Sequence, residues 1–342
     1  MVYSASMIWA EFKYNSKYYY LVRQALFLAL GFVIFIFVKN VDYHFYLKWA
    51  NLIFFICLGL LIIVLIPGIG VIRGGAQSWI GVGTFGIQPS EFAKVGIAIF
   101  ISKYLSKYHD DIKKFKDLLV MVLIILIFFG LIMLEPDFGT GIIIVLAMFL
   151  LLFVAGIKTK YIIIACVLGV VGITALILTA GYRIERITAF LDPFSDPLGS
   201  GFQAIQSLYA LVPGGFFGYG LFRSRQKYYF LPEPQTDFIF AILVEELGVF
   251  GGMILIFLFG YLLYLCLKIA LKTNDLFGKF ITLAFTLLLL VQISVNLCVV
   301  LGIIPVTGVT LPLLSYGGSS LLITYFMLGI ILNVGKNDLK NI

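Results

Sequence analysis

The sequence predicts an all-α, polytopic integral membrane protein with about nine membrane-spanning helices. Three observations lead there. The 342 residues are 62% hydrophobic and only 12% charged, whereas soluble domains run near half apolar and a quarter charged. The apolar stretches are long and unbroken, not alternating, which argues for helices and against a barrel. At roughly 20 residues per span plus connections, this length admits about eight to eleven spans. A soluble enzyme, a disordered chain and a small disulfide scaffold are excluded by the same composition.

Taken in order, the apolar segments fall at 21–38, 49–66, 91–107, 118–134, 141–157, 161–180, 245–267, 279–300 and 316–334. Segments 39–48, 103–117, 158–160, 268–279 and 335–342 carry fourteen lysines, while 1–20, 67–90, 135–140 and 301–315 carry only Lys13, Lys17 and Arg73. The positive-inside rule therefore puts the C-terminus in the cytoplasm and the N-terminus outside. The chain reads as one membrane domain, 1–342, with a long extracytoplasmic loop at about 181–244. Within that loop, Leu198 to Phe222 is free of charge. Phe202, Ile205, Tyr209 and Val212 recur there at helical spacing, with Gln203 and Gln206 off that face. An interfacial amphipathic helix fits this better than a span. A span would invert everything downstream and move Lys268, Lys272 and Lys279 outside.

Other features narrow the chemistry by elimination. Cys57, Cys166, Cys266 and Cys298 all sit in apolar runs, without C-x-x-C spacing, and read as small apolar fillers. His44 and His109 are far apart, so a histidine metal site is not expected. The net charge of +7 suits anionic headgroups or phosphate-bearing ligands and is not a nucleic-acid signal. Residues 1–20 lack the pattern of a cleavable signal peptide. No Walker A motif, dinucleotide glycine fingerprint, H-E-x-x-H, G-x-S-x-G or D-x-D pair is present. Any chemistry should therefore use a substrate already in the membrane.

Several residues stand out against that background. Asp237 lies between a polar turn and the apolar run Phe238–Leu243, at an expected membrane boundary. Desolvation there would make the carboxylate a better proton acceptor. By residue type alone, a helix cap beside Thr236 is the favoured role. Arg183 and Arg186 share a face if their segment is helical, and Arg223, Arg225 and Lys227 form a second basic group. Guanidinium pairs suit a diphosphate, though loop solvation or headgroup contact explains any one of them. Glu91 and Lys94 are three apart at the start of a span, with Ser90 as a possible N-cap. They read either as a plain ion pair or as a pair lining a polar cavity. Asp137 reads as a turn or cap residue. Glu245 and Glu246 are adjacent, so at least one should reach a polar interior or the interface. The stretch Pro305–Ser320, rich in glycine and hydroxyls, could cradle an anion or a sugar, or merely turn and pack closely.

Together these strings resemble the RodA/FtsW/SpoVE (SEDS) family. The matching segments are Gly75-Ala-Gln-Ser-Trp79, Gln88-Pro-Ser-Glu-Phe-Ala-Lys94, Pro136-Asp-Phe-Gly-Thr140 and Arg183-Ile-Glu-Arg-Ile-Thr-Ala-Phe-Leu-Asp-Pro193. They continue through Asp196-Pro-Leu-Gly-Ser-Gly-Phe-Gln203, Gln206-Ser-Leu-Tyr-Ala210 and Leu231-Pro-Glu-Pro-Gln-Thr-Asp-Phe238. The last are Glu245-Glu-Leu-Gly248 and Leu311-Pro-Leu-Leu-Ser-Tyr-Gly-Gly-Ser-Ser320. The resemblance runs in order over nearly the whole chain and looks closer to the SpoVE/FtsW branch.

The resemblance implies a peptidoglycan glycosyltransferase that polymerises lipid II into glycan strands at the outer face of the bacterial cytoplasmic membrane. It makes Asp237 the catalytic base, against the cap reading, with undecaprenyl diphosphate as leaving group. It implies substrate contacts at Glu91, Lys94, Asp137, Arg183, Arg186, Gln203, Gln206, Ser207, Thr236, Ser315, Gly317, Gly318 and Ser319. Charge on the diphosphate would be met by cations or by a divalent ion such as Mg or Mn. The implied partners are lipid II, the undecaprenyl-linked glycan, and a transpeptidase of the class B penicillin-binding protein type; nucleic acid is not among them. A flippase for the lipid-linked precursor and an inactive scaffold that recruits a transpeptidase are the alternatives. Two departures are visible. Ser78 stands where the family commonly has arginine. Met1-Val-Tyr-Ser-Ala-Ser6 resembles the outer end of the family's first helix of about ten, so the native protein is expected to start about one span upstream.

Overall fold

A computed structural model describes residues 1–342 except 74–75, 83–84, 109–114, 179–180, 229 and 341–342. The fold is predominantly helical: α1 (Val2–Tyr14), α2 (Tyr19–Val38), α3 (His44–Val64), α4 (Pro89–Lys107), α5 (Phe115–Leu134) and α6 (Phe138–Val154) lead the chain. They are followed by α7 (Thr159–Leu178), α8 (Gly181–Leu191), α9 (Phe202–Leu211), α10 (Ile239–Lys272), α11 (Leu276–Val300) and α12 (Gly318–Lys340). The nine expected spans coincide with α2–α7 and α10–α12. Among the described residues, α2, α3, α10, α11 and α12 are long and apolar enough to cross a bilayer, and α5 and α6 contain shorter apolar helices. Leu26, Val33, Phe37, Phe55 and Ile56 are among many large apolar side chains left exposed on these helices. In water that surface would be costly; against lipid it is the expected solution for a multi-pass membrane protein.

Two compact units emerge. One comprises residues 1–26, 163–261 and 292–317; the other comprises 27–162, 262–291 and 318–342. In the second unit, α4 packs against α3, α5, α6 and α12. Most of α4 is buried, including Glu91 and Lys94. Gly96 is what lets α3 and α4 approach: a Cβ there would lie 2.6 Å from Cys57 Sγ. A three-stranded antiparallel sheet precedes α4, formed by β1 (Gly70–Arg73), β2 (Ala76–Val82) and β3 (Phe85–Ile87). Val71 pairs with Trp79 and Ile80 with Ile87. The sequence reading treats 67–90 as an outer connection without strands. Its short runs of Val, Ile, Trp and Phe between glycine pairs are strand signals in hindsight. Ser78 is buried in β2.

The first unit differs from expectation in two places. Residues 1–20 are expected outside the membrane, with the resemblance to a family helix confined to Met1–Ser6, yet the helix runs over 2–14 and buries Val2, Ser4, Ala5, Ser6 and Ala10. The run Phe238–Leu243 reads as lying at a membrane boundary, yet every residue in it is buried by protein. The reason is a break in α10 at Gly248, with φ 73° and ψ −178°. Residues before the break belong to the protein core; Val249, Phe250, Met253, Ile254 and Phe257 after it are exposed. Gly248 is required there, because a Cβ would meet the Phe216 carbonyl oxygen at 2.1 Å in a left-handed conformation. The expected interfacial helix is α9. Ile205 is buried while Tyr209 and Val212 are exposed, so its apolar stripe divides between protein and surroundings.

Candidate functional site

Asp237 sits in the turn just ahead of α10 and is half-buried. The main chain leading to it is held from the other side of the unit. Three successive carbonyls each accept a hydrogen bond from a different donor. The Tyr316 N–H donates to the Gln235 carbonyl at 2.8 Å, the Ser315 hydroxyl donates to that of Thr236, and the Asn296 amide donates to that of Asp237 at 2.8 Å. Ser315 also accepts from the Leu311 N–H at 2.9 Å. The donors come from the end of α11 and from the loop 301–317. The loop is in turn tied to α11 by Gln292, which donates to the Thr310 carbonyl at 3.0 Å, and by Asn296, which donates to the Val309 carbonyl at 2.7 Å. A carboxylate on so constrained a backbone loses little freedom when it meets a reacting group.

Gly308 faces that carboxylate. Its φ of +74° is left-handed, and a Cβ there would lie 3.8 Å from Asp237 Oδ2. Arg186, exposed on α8, reaches the same loop: its Nη1 donates to the Val306 carbonyl at 3.1 Å. A carboxylate and a guanidinium thus approach one short stretch, 306–308. The Arg183 side chain lies outside the described residues. Thr236 donates to the Glu233 carbonyl at 2.9 Å and shapes the turn. Ser207 donates to the Val300 carbonyl at 2.9 Å, at the end of α11. Gln203 and Gln206 are half-buried on α9. The hydroxyls of Ser207, Thr236 and Ser315 are therefore engaged with main chain, and Gly317 ends the loop.

The adjacent glutamates find their polar interior within this unit. Glu245 accepts from the Arg225 N–H at 2.8 Å and from the Ser224 hydroxyl. Glu246 accepts from Ser4 at 2.6 Å and from Lys227 Nζ at 3.0 Å. Lys227 is therefore committed to an internal ion pair and does not join Arg223 and Arg225 as a surface cation. In the outer loop, Asp196 accepts from the Gly199 and Ser200 N–H groups. The Ser200 N–H bond holds its carboxyl below the usual range.

The remaining predicted residues lie in the second unit. Lys94 Nζ is 2.8 Å from Glu91 Oε2, with both side chains buried. Asp137 caps α6 by accepting from the Thr140 N–H at 3.2 Å. It also accepts from Gln88 Nε2 and from the Ser90 hydroxyl, each at 2.9 Å. Ser90 is therefore not the N-cap of α4; that position is Gln88, followed by Pro89. Ser319 accepts from the Gln88 N–H at 3.2 Å. Gly318 opens α12 where a Cβ would strike the Phe27 ring at 2.6 Å. Glu135 is buried beside Asp137, and among the described residues neither of its oxygens has a hydrogen-bond partner. Burial, and then the Asp137 charge, push its carboxyl up to about 9.

Among the described residues, no three His, Cys, Asp or Glu side chains converge as metal ligands. Sequence reasoning missed Asn296, Gly308 and Gln292. The signal was there: Gln292 and Asn296 are amides four apart in a largely apolar span, where polar side chains seek interhelical partners.

Comparison with known proteins agrees with this architecture. A family described as cell cycle protein (FtsW, RodA, SpoVE) matches residues 1–340. Stage V sporulation protein E of Bacillus subtilis (strain 168) is 48% identical over 337 residues, covering 98% of this chain and 92% of that protein. A probable peptidoglycan glycosyltransferase FtsW of Geobacter sp. (strain M18) is 40% identical over 335 residues, covering 98% and 91%. Among solved structures, a chain of a peptidoglycan synthase complex superposes with a TM-score of 0.79 at 32% identity, covering 93% of this chain and 90% of that one. The rod shape determining protein RodA of Thermus thermophilus gives 0.71 at 27% identity, covering 98% and 93%. The chain belongs to the FtsW/RodA/SpoVE family of cell cycle proteins.

Proposed function

We propose that this protein is a peptidoglycan glycosyltransferase that polymerises lipid II at the outer face of the cytoplasmic membrane, with its C-terminus in the cytoplasm. Asp237 takes the proton from the 4-hydroxyl of the acceptor N-acetylglucosamine. The freed oxygen attacks the anomeric carbon of the lipid-linked glycan, the bond to the diphosphate oxygen breaks, and undecaprenyl diphosphate leaves with inversion. A diphosphate departs as an anion, so it needs charge stabilisation more than a proton. Arg186, with Arg183 on the same helix, supplies that charge. Substrate contacts are assigned to Glu91, Lys94 and Asp137, and to Gln203, Gln206, Gly317, Gly318 and Ser319. A class B penicillin-binding protein is the expected partner.

The observation that carries the reading is the approach of Asp237 and Arg186 to one stretch of loop, residues 306–308. A carboxylate and a guanidinium that meet one fixed stretch of loop support a reading of the first as proton acceptor and the second as diphosphate ligand. The test is reconstitution in vesicles with labelled lipid II, scoring glycan strands and transbilayer movement in parallel. Strand formation is expected. Movement of lipid II without strands, in the presence of a competent partner, would favour a flippase.

A further inference from the structure

We propose that Asn296 is a positioning residue for Asp237, an inference that rests on Asp237 acting as the base. Asn296 is 1% exposed. Its Nδ2 donates both available hydrogens, one to the carbonyl of Asp237 itself at 2.8 Å and one to that of Val309 at 2.7 Å. Two converging carbonyl oxygens require the amide nitrogen, since the opposite amide orientation would set oxygen against oxygen. The side chain therefore works as a two-pronged clip. One prong holds the residue that bears the carboxylate. The other holds the loop next to Gly308, which faces Asp237 Oδ2.

The contacts at Gln235 and Thr236 act on the approach to Asp237, whereas Asn296 acts on its own peptide. Asn296 thus links the residue that bears the carboxylate directly to the stretch of loop beside Gly308, in addition to the links made by Ser315 and Tyr316. Asparagine is suited to it. Serine has one hydrogen to donate, aspartate when ionised has none, and glutamine adds a methylene that would displace one prong. Because these two bonds go to main chain, their removal should misplace the base and leave the substrate contacts elsewhere intact. A misplacement of about 1 Å costs up to about 100-fold in rate.

The test is lipid II polymerisation by the purified full chain carrying Asn296→Ala or Asn296→Ser, alongside Asp237→Asn. For Asn296→Ala, kcat per folded molecule should fall about 10- to 100-fold with KM for lipid II within about two-fold. Asn296→Ser, which keeps one donor, should fall between this and wild type. Wild-type kcat in either variant would overturn the proposal. So would a rise in KM with unchanged kcat, or loss of folded protein in both variants, which would make the residue purely structural. Wild-type activity of Asp237→Asn would instead overturn the base assignment, so the two failures are separable.

Discussion

Lys227 Nζ lies 3.0 Å from Glu246 Oε1, and both side chains are fully buried. The pair joins the loop before Leu231 to the short helical segment before Gly248, and Ser4 of α1 donates to the same carboxylate oxygen. Breaking such a pair from one side leaves a buried charge uncompensated, at roughly 3–5 kcal/mol. Lys227→Met should therefore lower the thermal midpoint sharply. Lys227→Met combined with Glu246→Leu should recover much of the loss, because burial of two apolar chains replaces burial of two charges. A double variant as damaged as the single one would show that the pair is not the source of the cost.

Gly248 makes a second, independent demand on the same region. Its φ is left-handed, and a Cβ at this position would come within 2.1 Å of the Phe216 oxygen, which leaves no room for a side chain. Gly248→Ala should cost roughly 1–3 kcal/mol for a positive-φ, extended-ψ conformation open essentially only to glycine, plus displacement of backbone. Gly260, with open space around it, is the control, and Gly260→Ala should be near neutral or better in its helix. Equal midpoints for the two variants would contradict this account of the break.

Asp137 is both a helix cap and an acceptor for Gln88 and Ser90. Asp137→Ala should cost on the order of 1–2 kcal/mol from the cap alone. Asp137→Asn keeps an acceptor and should retain more of the stability. If Asp137 also serves substrate, Asp137→Asn should raise KM for lipid II at near-wild-type stability. Unchanged KM in that variant would leave Asp137 with its structural contacts to Thr140, Gln88 and Ser90 and no role toward substrate.

Glu135 gives the protein a pH signature. Its folded carboxyl is raised to about 9, against an ordinary value near ~4.3. Between those values the unfolded chain has lost a proton that the folded chain keeps. Stability from this group is full below the lower value and is lost as pH rises toward the upper one. The thermal midpoint should therefore decline from about pH 6 to about pH 9, and Glu135→Gln should flatten the decline. Parallel pH slopes for the two proteins would contradict it.

Much of this is legible in the sequence because it depends on local pattern. The apolar helices, the amphipathic α9 and the costly Glu245–Glu246 pair all follow from composition and spacing within a few turns. What could not be read is set by contacts distant in sequence. Asn296 reaches Asp237 across 59 residues and Ser315 reaches Thr236 across 79. Lys227, which reads as a surface cation in a basic group, is a core residue because Glu246 is there to receive it. The apolar run after Asp237 signals burial correctly, but periodicity does not distinguish burial in lipid from burial in protein. The break at Gly248 is what separates them. The strands at 70–87 escape notice because three short segments are faint beside long membrane helices.

The central claim is that Asp237 is the base that activates the acceptor hydroxyl. Its most direct test is polymerisation of lipid II by purified wild type and Asp237→Asn, with and without the transpeptidase partner. Asparagine keeps the size and the backbone contacts to Asn296 but cannot accept the proton. The account predicts no glycan strands from Asp237→Asn at a thermal midpoint close to that of wild type. Strands formed by Asp237→Asn at the wild-type rate would contradict it.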